Sequence, residues 1–210
     1  IPSIPRHGKN ILTNHGNHKL LIGSYGFCLP NKGFSELIKA VPLLKEADLD
    51  FHINIFSSIY NNDYSYVYQE LIDLVKYLDV ENQVTIENDY LSPMNIQDVL
   101  SQQDLIIYPY QTSNESSSAS VRDGLASLKP VLVTPLPIFD DVNDLVDYLP
   151  GVSPEDLANG ILSWVKKFET NPEIINKINL ARAQLINSRT FSKLSLRLHS
   201  IINSLEINQY

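Results

Sequence analysis

Cysteine occurs once in the 210 residues, at Cys28, and methionine and tryptophan are equally scarce, with one of each. A lone cysteine closes no intrachain disulfide and supplies no cysteine-rich metal site, so the chain is compatible with a reducing compartment. Basic residues are also few: 16 Lys and Arg stand against 24 Asp and Glu, a formal net charge of -8. That balance argues against a nucleic-acid backbone or an anionic membrane surface as the main partner, but leaves room for a local basic pocket. No apolar run approaches the length of a bilayer-crossing helix, and no signal-peptide pattern is present. The eight glycines fall in neither the dinucleotide fingerprint nor the Walker spacing.

What is present is a hydrophobic fraction of 43%, enough to bury a substantial core and inconsistent with a disordered chain. The length suits one domain, with at most an appendage. The sequence opens at Ile1 in the loop-like "IPSIPRHGKN", which reads as a fragment or processed product of something longer.

Strand-like and helix-like segments alternate along most of the chain. "KLLIGSYG", "FHINIF", "QVTIEN", "DLIIYPY" and "PVLVTP" read as strands. Between them, 34–47 carries a helical face through Leu37, Ile38, Val41 and Leu44, with Pro42 bending it or limiting its start. Helical spacing over 63–78 makes packing groups of the tyrosines at 64 and 68, and 92–100 and 119–127 are shorter helices. Such alternation predicts an α/β domain: a Rossmann-like, mostly parallel sheet with helices on both faces. After Thr134 the pattern shifts to helices at 155–168, 172–188 and 191–205, the first capped by Ser153 and opened by Pro154. The expected organisation is a linker segment at 1–18, the α/β domain at 19–188, and a C-terminal helix and tail at 189–210.

Ligands of open parallel sheets bind beyond the carboxyl ends of the strands, and two polar segments fall there. The first, "GSYGFCLPNKG", has glycines at 23, 26 and 33 for tight turns and Lys32 as a mobile charge for a phosphate. By composition alone, a plain strand-to-helix connection is the more economical reading of it. The second, "YPYQTSNESSSASVRDGLAS", puts serines and backbone amides ahead of a helix, where free N–H groups favour anions. Glu115 lies in that loop and Asp123 follows eight residues later. Two carboxylates beside an anion-binding helix end suit the paired hydroxyls of a sugar nucleotide. A solvated loop with a helix cap remains the plainer alternative.

Together the two segments resemble the carboxy-terminal domain of the family 4 retaining glycosyltransferases, which have the two-domain GT-B fold. "GFCLPNKG", from Gly26 to Gly33, is similar to that family's glycine–arginine–four residues–lysine–glycine loop. "ESSSASVRDGLASLKPV" has the spacing of its paired glutamates, with Glu115 first, Asp123 second and Pro130-Val131 closing the motif. "SPEDLA" at 153–158 and a weak echo of the interdomain linker in "IPRHG" extend the resemblance over roughly 4–205.

The resemblance implies that Lys32 contacts the donor diphosphate and Glu115 lies near the donor sugar and the reaction centre. Asp123, one methylene shorter than the usual glutamate, would hold the ribose hydroxyls, and amides around Ser116, Ser117, Ser118 and Ala119 would face the sugar diphosphate. Phe27 occupies the usual arginine position and cannot replace its diphosphate contacts. Arg122 is expected to supply part of that charge, although it could equally point to solvent or pair with Asp123. The full-length enzyme would transfer a sugar from a UDP- or GDP-sugar, with retention of configuration and without a cofactor or metal. The acceptor, a glycan or glycolipid of the kind made in bacterial polysaccharide biosynthesis, would be bound mainly by an N-terminal domain. That setting implies a cytoplasmic location, with room for peripheral association of the full-length enzyme at the inner face of the membrane. This chain alone would be inactive.

Other readings are thinner. His7, His15 and His18 cluster on an irregular segment, a poor frame for zinc. Asp140, Asp141, Asn143 and Asp144 are calcium-like in content without the EF-hand pattern, and read as a helix-start cap. "SSSAS" lacks the nucleophile-elbow glycines, and Trp164 reads as a core residue. Two rival functions stay open: a catalytically degenerate nucleotide-sugar-binding or regulatory domain, and a nucleotide-sugar epimerase.

Overall fold

A computed structural model of the chain describes residues 19–171, a few positions between 173 and 190, and the helix that follows them to 207. Within it a six-stranded parallel sheet has the order β3-β2-β1-β4-β5-β6. The strands are β1 (Leu20–Tyr25), β2 (Phe51–Phe56), β3 (Val84–Glu87), β4 (Leu105–Tyr108), β5 (Val131–Val133) and β6 (Asp147–Tyr148). β4 is buried along its whole length, as a central parallel strand covered on both faces must be.

Alternation along the strands divides the core in two. Leu105 and Ile107 of β4 join Ile22, Ile53 and Ile55 on one face. There they pack beneath α1 (Phe34–Lys39), α2 (Val41–Glu46), α3 (Ser65–Tyr77) and α6 (Pro154–Thr170). Ile106 and Tyr108 point the other way, against α4 (Pro93–Ser101), α5 (Ala119–Ala126) and Phe139. The result is the three-layer arrangement expected from the alternation of elements.

Several local predictions hold for the expected reasons. The helix at 34–47 divides at Ala40, and Pro42 occupies the second position of α2, where its missing N–H costs no hydrogen bond. Ser153 and Asp156 form a reciprocal capping box at the start of α6. Tyr64 and Tyr68 pack against the core, as does Trp164, which stacks on Phe168 with ring centroids 5.5 Å apart.

One reading needs correction. Asp140, Asp141, Asn143 and Asp144 do not cap a helix; they lie inside a 3-10 segment, Pro137–Leu145, which starts after Leu136 without a side-chain cap. The segment feeds the short edge strand β6, and neither element has a counterpart in the sequence reading. The linker at 1–18, with His7, His15 and His18, lies outside the described residues, as does most of the helix expected at 172–188. The last helix, α7 (Phe191–Ile207), extends two residues beyond the expected end. Its Phe191, Leu196 and Leu198 are exposed. Among the described residues no helix is long and apolar enough to cross a membrane.

Candidate functional site

From β1 the chain winds outward to β2 and β3, and from β4 it winds the other way to β5 and β6. β1 and β4 are therefore the neighbours at which the winding direction reverses, and the crevice outside their carboxyl ends is where such sheets take ligands. The two polar segments singled out in the sequence leave the sheet at this switch point.

Backbone and side-chain bonds dock them together. Gln111 N–H donates to the Asn31 carbonyl at 2.9 Å, and Asn31 Nδ2 donates to the Thr112 carbonyl at 3.2 Å. Gln111 Nε2 donates to the carbonyls of Pro109 and Val152, each at 3.0 Å. Gly33 makes this approach feasible. Its φ is 75°, and an added β-carbon would sit 2.7 Å from the carbonyl carbon of Pro109. Gly26, with φ at 155°, passes beside Ser120 at the start of α5.

Lys32 ends the 3-10 turn Pro30–Lys32 with its Nζ over the ring of Tyr110, 4.0 Å from the centroid. Across from it, Ser118 is the N-cap of α5 and its Oγ accepts from Val121 N–H at 3.3 Å. The next amides belong to the first helical turn, which has no intrahelical acceptors, and they carry the positive end of the helix dipole. Ser116, Ser117 and Ala119 are exposed around this end.

The two carboxylates occupy different environments. Glu115 is exposed on the loop, its N–H bonded to Ser113 Oγ at 3.1 Å. Asp123 is partly buried on α5, and burial pushes its pKa up to about 6. No protein hydrogen-bond donor to its carboxylate stands among the described residues, whereas its main-chain carbonyl accepts from Gln97 Nε2 and from Ser127 N–H, each at 3.2 Å. Its charge is felt by Tyr25, at the end of β1, whose pKa rises to about 12 through burial first and Asp123 second. A carboxylate in this condition is suited to accept from ligand hydroxyls.

Arg122 takes a partner other than Asp123 while its side chain stays partly exposed. Its guanidinium donates to the Ser118 carbonyl and to the Asp141 carboxylate, and does not pair with Asp123. Adjacent residues of a helix point in different directions, which separates Arg122 from Asp123. Phe27 is 41% exposed and meets Tyr60 edge-to-face at 5.1 Å between centroids. Sequence reasoning singled out Lys32, Glu115 and Asp123 but passed over Tyr25 and Tyr110. A strand-end position beside a polar loop was the available signal for both. Among the described residues no group of three or more His, Cys, Asp or Glu side chains is placed to hold a metal ion.

Neither a family model nor a curated protein matches the chain. Solved structures do match its fold. A glycosyltransferase from Rickettsia africae is 20% identical, with a TM-score of 0.73 over 93% of this chain and 50% of its own. Anabaena Alr3699/HepE, solved in complex with UDP and glucose, is 16% identical, with a TM-score of 0.67 over 90% of this chain and 48% of its own. The C-terminal domain of the glycosyl transferase group 1 protein LpcC from Francisella tularensis is 16% identical, with a TM-score of 0.62 over 81% of this chain and 85% of its own. The chain thus spans about half the length of the first two and most of the isolated domain. Its fold is one half of a GT-B fold, a likeness shared by several glycosyltransferases and not particular to family 4.

Proposed function

We propose that the chain is the nucleotide-sugar-binding half of a retaining glycosyltransferase of family 4. One observation carries the reading: the two loops that leave the sheet at the topological switch point carry a lysine, a serine-capped helix start and a carboxylate with no protein donor among the described residues. These are the groups a sugar nucleotide requires. Lys32 and the amides at the start of α5 face the diphosphate, Asp123 accepts from the ribose hydroxyls, and Glu115 borders the donor sugar. Anabaena Alr3699/HepE, which shares the fold, was solved with UDP and glucose, and that adds support for such a ligand here.

In the reaction, the bond between the donor sugar and the diphosphate breaks as the acceptor hydroxyl attacks from the same face. The hydroxyl proton passes to the departing diphosphate. This domain's contribution is electrostatic: Lys32 and the α5 dipole stabilise the charge that grows on the leaving group. Arg122 adds to the local field, diminished by its pairing with Asp141. The acceptor, a glycan or glycolipid, is held by a second domain outside this chain, and the chain alone turns over no substrate.

The experiment is to supply the full-length protein with UDP- and GDP-sugars and an acceptor and to follow the anomeric proton of the product by NMR. A product with the donor's configuration supports the reading; an inverted one removes it. A catalytically degenerate domain is the second reading, favoured by Phe27 at the arginine position and by the Arg122–Asp141 pair. It predicts nucleotide binding with no product of either configuration.

A further inference from the structure

Tyr110 belongs to neither motif, yet it touches both halves of the site. Its ring is buried, 1% exposed, and wedged between Tyr108 at 6.3 Å and Phe139 at 5.2 Å, centroid to centroid. Its carbonyl accepts from Thr134 Oγ1 at 2.7 Å, which fixes the backbone as well. One ring face carries the Lys32 ammonium at 4.0 Å. At the far end of the same ring, the hydroxyl lies 3.2 Å from Ser118 Oγ and 2.7 Å from Ser120 Oγ. Those serines are the N-cap and second residue of α5, and their own hydroxyls are 3.1 Å apart.

We propose that Tyr110 is a positioning residue that sets the two anion-binding elements against each other, holding Lys32 by its ring and the start of α5 by its hydroxyl. The proposal rests on the donor-site reading for its consequence and on geometry for its substance. A lysine side chain otherwise ranges over many rotamers, and an ammonium over an aromatic face is confined at little desolvation cost. A helix start, in turn, presents its amides in one direction only if its cap is fixed. Because a single rigid ring does both, the spacing between the Lys32 charge and the α5 amides is constant before any ligand arrives. That preorganisation favours a diphosphate, whose two phosphoryl groups must meet both elements together.

Two variants separate the halves of the device. Tyr110→Phe retains the ring face and removes the hydroxyl, and Tyr110→Leu removes both. The first readout is the chemical shift of the Lys32 Hε protons, which an aromatic face displaces upfield. The displacement is expected in the wild type and in Tyr110→Phe, and absent in Tyr110→Leu. The second is the affinity for inorganic pyrophosphate, followed by NMR titration. It is expected to weaken about fivefold in Tyr110→Phe, the scale of one neutral hydrogen bond, and about 20-fold in Tyr110→Leu once the cation–π contact is also lost. Lys32→Ala should then cost the Tyr110→Leu background clearly less than it costs the wild type, because the lysine there is already unplaced. An unshifted Lys32 signal in the wild type overturns the proposal, as does an equal cost of Lys32→Ala in both backgrounds. Tyr110→Phe keeps the core volume and serves if Tyr110→Leu fails to fold. If the wild type binds no pyrophosphate while its Lys32 signal is displaced and Tyr110→Phe preserves that displacement, the donor-site reading fails and the positioning of Lys32 stands.

Discussion

Gly33→Ala is expected to lower the melting temperature by about 6–12 °C, corresponding to a loss of about 3 kcal/mol in a domain of this size. Two costs combine. The left-handed φ of 75° disfavours any side chain by about 1–2 kcal/mol. The added methyl group also has no room, because the Pro109 carbonyl occupies its place. Relief requires the Pro30–Lys32 turn to move away from 109–112, breaking the Gln111–Asn31 and Asn31–Thr112 bonds and lifting Lys32 off Tyr110. The variant should therefore lose anion binding even where it remains folded. Thermal melts and a pyrophosphate titration check both parts. A variant that melts within 2 °C of the wild type, taken as the order of a surface substitution, would show that the two loops are not docked as described.

Asp123→Asn is expected to move stability and ligand affinity in opposite directions. The folded pKa of about 6 lies above the unfolded value of about 3.9, so between these values the folded chain holds a proton that the unfolded chain has released. Stability therefore falls as pH rises through that window, and at pH 7 the ionised carboxylate weighs against the fold. Removing its charge should stabilise the domain by about 1–2 kcal/mol at pH 7, after allowance for solvent screening of a partly exposed group, and have little effect at pH 4. Nucleotide affinity should drop by about 10- to 100-fold, because the amide forfeits charge-assisted bonds to the ribose hydroxyls. In the wild type, protonation near pH 6 should also weaken nucleotide binding, and that component should vanish in the variant. Denaturation at pH 4 and pH 7, paired with binding over pH 5–8, tests the prediction. A variant destabilised at pH 7 would mean that the protein itself satisfies the Asp123 carboxylate.

Local signals made most of the fold legible. The strands announced themselves as short β-rich runs, and proline and serine marked helix starts at Pro42, Ser92 and Ser153 because their effects are confined to one turn. The Pro137–Leu145 segment and β6 were not legible. β6 has two residues and exists only through pairing with β5, so it leaves no periodic trace. The same divide runs through the site. Lys32 and Asp123 stand at positions set by motif spacing and were visible in the sequence. Asp141, which takes up Arg122 from 19 residues away, was not. Tyr110 was hidden differently: it stands in the polar segment just after the strand, outside both motifs, and only the fold brings Lys32 to its ring face and the α5 serines to its hydroxyl. Tyr25 follows the same logic, since its proximity to Asp123 depends on β1 and β4 being neighbours.

The proposed donor site, outside the carboxyl ends of β1 and β4, would hold a nucleoside diphosphate through Lys32. Calorimetric titration of the intact chain and of Lys32→Ala with UDP, GDP and ADP tests it most directly. Saturable binding of one of the three is expected, weakened about 10-fold or more by the substitution, the scale of a charged hydrogen bond. Absence of binding by all three, or binding that Lys32→Ala leaves unchanged, would contradict it.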